Sequence, residues 1–179
     1  MLSLTEKNLP NTITVGGDSF LVNTDFRTWI RFDMDLIKMK SRHDQINVSY
    51  IFVDKKPKWI NLETLIAWAH PEKEIPRKTS IDYENVIALD YEYDADLIYS
   101  AFLEQYGIDL IDTDMHWYKF QALLFGLNNT KLNEVMGYRC YKKPKKGEDP
   151  YERLKFAWEI IRESEEEKEE LEAFSNMFK

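Results

Sequence analysis

Residues 94–110 read DADLIYSAFLEQYGIDL, and their spacing decides the fold class. Leu97, Ile98, Ala101 and Phe102 share one face of a 3.6-residue period. Gly107 follows the last apolar turn, where a glycine adopts the left-handed backbone that closes a helix, and Ile108 is placed to fold back on that end. The spacing predicts a helix over 94–106, with Asp94 as its amino-terminal cap. Asp90, Glu92, Asp94 and Asp96 alternate as calcium ligands do. Yet no glycine stands at the sharp turn and no glutamate closes the loop, so the EF-hand pattern fails. The four carboxylates read as a solvated acidic helix start.

Further helices flank this one. His116, Trp117, Phe120, Leu123 and Leu124 predict a helix over 113–125 with Gly126 as its stop, and a short helix over 131–136 ends at Gly137. Asn61 opens a helix carrying Leu62, Leu65, Ile66, Trp68 and Ala69, which Pro71 ends. Earlier, Asn23, Thr24 or Asp25 caps a helix whose apolar face is Phe26, Trp29, Ile30, Leu36 and Ile37. Residues 12–22, TITVGGDSFLV, place two β-rich runs around Gly16-Gly17-Asp18 and predict a hairpin. Residues 46–53, INVSYIFV, fit a strand alternation and a helix face equally. Asp149-Pro150-Tyr151-Glu152 resembles a capped helix start, followed by Leu154, Ala157, Trp158 and Ile161.

The expected class is therefore mainly α: a compact helical domain with an N-terminal β-hairpin and a C-terminal acidic helix. The expected boundaries are a helical domain over 1–140 with an internal linker at 71–80, a basic linker at 141–149, and the acidic helix at 150–179.

Composition narrows the function. The 179 residues are 44% hydrophobic and 14% aromatic, too rich in rings for a disordered acidic polymer. Lys and Arg number 24 against 32 Asp and Glu, a net charge of −8 that disfavours general nucleic-acid binding. A single cysteine, Cys140, provides neither an internal disulfide nor a thiolate cage, which fits a reducing compartment. The N-terminus lacks a basic segment followed by an apolar run, so no secretory signal is expected. No apolar run approaches the ~20 residues of a membrane span.

Catalytic patterns are scarce. The six glycines form no phosphate-binding loop, and no serine or cysteine sits in a nucleophile elbow. His43, His70 and His116 read as structural side chains. Asp112, Asp114 and His116 could share a hard cation, but a helix cap from Asp112 or Asp114 explains the same residues more simply. Cys140 stands near Arg139, Lys142 and Lys143, without a histidine beside it, and reads as passive. Lys142, Lys143, Lys145 and Lys146 with Tyr138 and Tyr141 form the one basic aromatic stretch, read first as a solubilising linker.

The C-terminal segment is unusual. Residues 159–172 hold eight Glu against Arg162 and Lys168, so they carry −6 of the total and leave −2 for the rest. Several glutamates repeat at i,i+4, which weakens an isolated helix. Beyond them, Leu171, Phe174 and Phe178 make a second apolar stripe. It reads either as a solvated tail or as a docking helix.

In order, the chain carries Asn23-Thr24-Asp25-Phe26-Arg27, Asp94-Ala95-Asp96-Leu97-Ile98-Tyr99-Ser100-Ala101-Phe102, Gln105-Tyr106-Gly107-Ile108-Asp109-Leu110, His116-Trp117-Tyr118-Lys119-Phe120 and Gly137-Tyr138-Arg139. Over most of 10–140 it resembles the phage gene-product-fifteen family of tailed phages and prophages of Gram-positive bacteria. Tyr118 departs from it, since a second tryptophan is common there. The resemblance implies a protein encoded just ahead of the tape-measure gene of a siphophage tail module. It implies a non-enzymatic tail assembly chaperone, in the bacterial host cytoplasm, that binds the tape-measure protein and recruits tube subunits.

No catalytic residue, metal or cofactor is carried over by that resemblance. The expected contacts are exposed rings such as Tyr118, with Leu171, Phe174 and Phe178. A homo-oligomer is a further expectation; membrane and nucleic acid are not expected partners. Alternatives are a structural tail or head–tail connector subunit, or a metal-dependent hydrolase using Asp112, Asp114 and His116.

Overall fold

Gly16 and Gly17 both take positive φ, 60° and 91°, which twists the turn to match the strands it joins. They connect β1 (Thr12–Val15) and β2 (Asp18–Leu21), which pair antiparallel with Thr12 opposite Leu21 and Val15 opposite Asp18. The computed structural model describes residue 3 and residues 5–39, 46–72, 86–142 and 150–160. Six helices and this one hairpin make the described residues mainly α.

The chain divides into two units, one formed from the described parts of 1–82 and 89–133, the other from those of 83–88 and 134–179. In the first unit, Asp25 caps α1 (Phe26–Lys38), its carboxylate accepting the Arg27 backbone N–H at 2.9 Å. Phe26, Trp29 and Phe32 are buried on α1, whereas Ile37, expected on the apolar face, is exposed. The helix turns its last apolar residue out past the end of the core.

Residues 46–53 are neither a strand nor a helix of any length. Ser49–Ile51 form one 3-10 turn, and Phe52 bridges Val22. Asn61 caps α2 (Leu62–Ala69) by accepting the Glu63 N–H at 3.0 Å, and Leu65 and Ala69 are its buried residues. In α3 (Ala95–Tyr106), Ile98, Ala101 and Phe102 are buried. Gly107 closes it at φ 65°, its N–H donating to Leu103 while Ile108 N–H reaches Phe102.

Asp90 and Asp94 are not solvated: only 3% and 1% of their surface is exposed. An Asp94 carboxylate oxygen accepts the Asp90 N–H at 2.8 Å, and Asp90 accepts the N–H groups of Glu92 and Tyr93. Desolvation of these carboxylates is compensated by donors from a tight turn. Asp94 thus occupies the cap position of α3 while its side chain serves the residues before it.

Helix α4 (Trp117–Gly126) begins later than expected, and its cap is His116 rather than Asp112 or Asp114, both of which are exposed. Around it, Phe120 stacks on Phe26, Phe102 and Trp117 with centroids at 4.7, 5.3 and 5.7 Å. A second ring group joins Trp29 to Trp68 at 4.2 Å and Trp68 to Tyr118 at 5.0 Å. Each fully buried ring contributes on the order of 1.5–3 kcal/mol. These rings come from α1, α2, α3 and α4, so aromatic stacking rather than a sheet unites the first unit.

Helix α5 (Lys131–Arg139) runs through Gly137 instead of stopping there. Gly137 is not among the positive-φ glycines, and a helical glycine only weakens the helix. In the second unit, the Arg139 guanidinium donates to the carbonyls of Trp158 and Ala88 at 2.7 and 3.1 Å. Tyr141 and Tyr151 stack at 5.4 Å. Helix α6 (Pro150–Trp158) buries none of its residues, so the expected core stripe of Leu154, Ala157 and Trp158 is not internal. Asp149 and the glutamate-rich run from 163 onward lie outside the described residues.

Candidate functional site

The first unit carries a groove lined by residues between 46 and 62. Part of its lining is set by the 3-10 turn. Asn47 Oδ1 accepts from the backbone N–H and the hydroxyl of Ser49 at 3.0 and 2.7 Å, which starts the turn. Ile51 is wholly buried and its carbonyl accepts the Asn23 N–H at 2.7 Å, which holds the turn against the segment that follows β2. Phe52 then meets Phe20 edge-on at 6.3 Å. Ile60 and Leu62, which flank the Asn61 cap in sequence, also line the groove.

The cavity has a volume of about 620 Å³ and lies within the range of ligand clefts. Ile46, Val48, Phe52, Pro57, Ile60 and Leu62 supply apolar lining; Lys56, Lys58 and Trp59 complete it. Trp59 leaves 72% of its surface in water. Val53 and Leu21, joined by a backbone hydrogen bond of 3.1 Å, are exposed as well. Isolated exposed apolar residues are ordinary, but an exposed indole beside a groove of mixed apolar and polar lining is a recognition feature. The local sequence signal was Lys55, Lys56, Pro57, Lys58 and Trp59, a lone ring in a basic loop.

Tyr118, expected as an exposed contact ring, is instead only 4% exposed. Its hydroxyl donates to the Trp68 carbonyl, and burial pushes its pKa up to about 12. The helical register turns it inward beside Trp117, so both rings are internal. Leu171, Phe174 and Phe178 lie outside the described residues, as do Lys143, Lys145, Lys146 and His43.

Asp112, Asp114 and His116 are not assembled as a cation cage. His116 Nδ1 accepts the Tyr118 N–H at 3.1 Å and Nε2 donates to the Pro10 carbonyl at 3.0 Å, so both ring nitrogens are committed. Burial lowers the His116 pKa and favours this neutral ring. Asp114 approaches Arg27 at 3.7 Å instead. Among the described residues, no group of three or more His, Cys, Asp or Glu is arranged to hold a metal ion. His70 sits at the carboxyl end of α2, its Nε2 2.8 Å from Asp33 Oδ1 and its Nδ1 3.3 Å from Gln121 Nε2. Cys140 is exposed. No helix among the described residues is long and apolar enough to cross a membrane.

A family model described as bacteriophage Gp15 protein matches residues 5–160, and thus most of the chain. No curated protein and no solved structure matches it.

Proposed function

Because the chain belongs to the bacteriophage Gp15 protein family, we propose that it is a non-enzymatic tail assembly chaperone that binds the tape-measure protein during tail morphogenesis. The groove beside Trp59 is the observation that carries this reading. A long helical client exposes apolar stripes before it is enclosed, and a chaperone must cover them reversibly. A groove with apolar side chains and an exposed indole supplies such cover, and the lysines and other polar groups of its lining keep the free surface hydrated. Phe125 and Phe156, each 80% exposed, offer additional apolar surface on their own units. Tail tube subunits and a second copy of the chain are further partners in this reading, with Leu171, Phe174 and Phe178 as additional contacts.

Co-expression with the tape-measure protein tests the proposal. The expected result is a soluble complex that elutes together. A client that stays equally insoluble, with no complex, rejects it. Mass spectrometry of purified virions provides the second measurement: a stoichiometric signal from this chain would assign it to the tail structure itself.

A further inference from the structure

The groove has a charge pattern as well as apolar side chains in a mixed lining. Lys56 and Lys58 both line it, with Lys55 beside them and Asp54 as the neighbouring acid. Among the described residues neither Lys56 nor Lys58 has an ion-pair partner, although the chain as a whole carries −8. Glu63, the next acidic residue along the chain, is held at the start of α2, where Asn61 Nδ2 donates to its carboxylate at 3.2 Å. The rim of the groove is therefore a local basic surface on an acidic protein.

We propose that this groove binds an acidic segment of a partner protein that carries apolar side chains. The apolar residues of that segment enter between Phe52, Ile60 and Leu62 and cover Trp59, while its carboxylates face Lys56 and Lys58. Complementary charge steers the encounter and repels basic segments, and burial of the indole supplies most of the affinity. The aliphatic side chains of Ile46, Val48, Ile60 and Leu62 within the mixed lining favour a protein over a nucleic acid, because Trp59 as a single exposed ring is a poor platform for successive bases. This assignment rests on the chaperone reading only for the identity of the partner, the tape-measure protein.

The test uses the full chain and a designed peptide of about 20 residues, long enough for helical repeats of Leu and Phe separated by Glu. A second peptide has Lys at every Glu, and an oligothymidylate serves as the nucleic-acid probe. Binding is read by the fluorescence anisotropy of a dye carried on the peptide or the oligonucleotide, a readout that does not depend on Trp59 itself.

The acidic peptide is expected to bind the wild-type chain, about thirtyfold more weakly after Trp59→Ala and about tenfold more weakly after Lys56→Glu with Lys58→Glu. The basic peptide should show the reverse charge preference. Absence of acidic-peptide binding overturns the proposal, and so does equal binding of the oligothymidylate at Trp59. If the charge-reversed variant instead changes the sedimentation of the chain alone, a second copy fills the groove and the proposal is also overturned. A tape-measure complex that forms equally well with both variants rejects this site but not the chaperone function. Peptide binding without such a complex does the opposite.

Discussion

His116 Nδ1 accepts the backbone N–H of Tyr118 at 3.1 Å, so an imidazole closes the amino end of α4. This cap and the Nε2 bond to Pro10 together require the neutral ring protonated on Nε2. Burial holds the folded pKa below the ordinary value of about 6.5. As pH falls through that ordinary value, the unfolded chain takes up a proton that the folded chain still refuses. The stabilisation is complete above it and is lost as pH falls toward the folded pKa. The melting temperature of the wild type should therefore fall more steeply between pH 7 and about 5.5 than that of His116→Asn, which keeps a capping oxygen without titrating. Parallel pH profiles would reject this role.

Arg27 spans the first unit by a different device. One guanidinium nitrogen donates to the carbonyls of Leu110, Ile111 and Thr113 at 2.8, 2.8 and 3.1 Å, while the other reaches Asp25 at 3.1 Å. Lysine keeps the charge but not the planar fork. Arg27→Lys should cost about 1–3 kcal/mol in chemical denaturation. A loss below about 0.5 kcal/mol would mean that the clasp contributes little.

Two glycines should respond with opposite sign. Gly107 stands at φ 65°, where any Cβ is strained, and Gly107→Ala should destabilise by about 1–2 kcal/mol. Gly137 lies inside α5 with nothing within 4 Å of an added Cβ. Gly137→Ala should stabilise by about 0.5–1 kcal/mol. Urea titration of both variants checks the pair, and equal signs would contradict the assigned conformations.

Tyr118 and Trp59 separate stability from recognition. Tyr118→Phe removes the hydroxyl bonded to the Trp68 carbonyl and should cost about 1 kcal/mol while leaving partner binding unchanged. Trp59→Ala should stay within about 0.5 kcal/mol of wild-type stability and weaken binding. Denaturation and complex formation measured on the same preparations distinguish the two. A partner-binding loss for Tyr118→Phe at unchanged stability would restore it as a contact residue.

What the sequence disclosed was chemistry that acts over a few residues. Gly16-Gly17, Asp25, Asn61 and Gly107 each meet a backbone requirement set by their immediate neighbours, and each ends or begins the element expected of it. Long-range placement was less legible. Asp90 and Asp94 look like surface carboxylates until the turn that supplies their donors is folded. His116 belongs to no common list of caps, and its role needs Pro10, 106 residues away. Inward and outward rings are chemically alike, so nothing local told Tyr118 from Trp59; only helical register and the neighbouring rings decide that. The candidate groove was legible only as a basic loop containing one tryptophan.

The N-terminal hairpin has a consequence for synthesis on the ribosome. Thr12 accepts the Trp68 indole N–H from 56 residues downstream, and Pro10 waits for His116. At translation rates of roughly 5–20 residues per second, the second of these fastenings lags the hairpin by roughly 5–20 s. The hairpin is thus made early and fully fastened late, and a nascent chain interrupted between residues 68 and 116 has the Thr12 fastening but not that of Pro10.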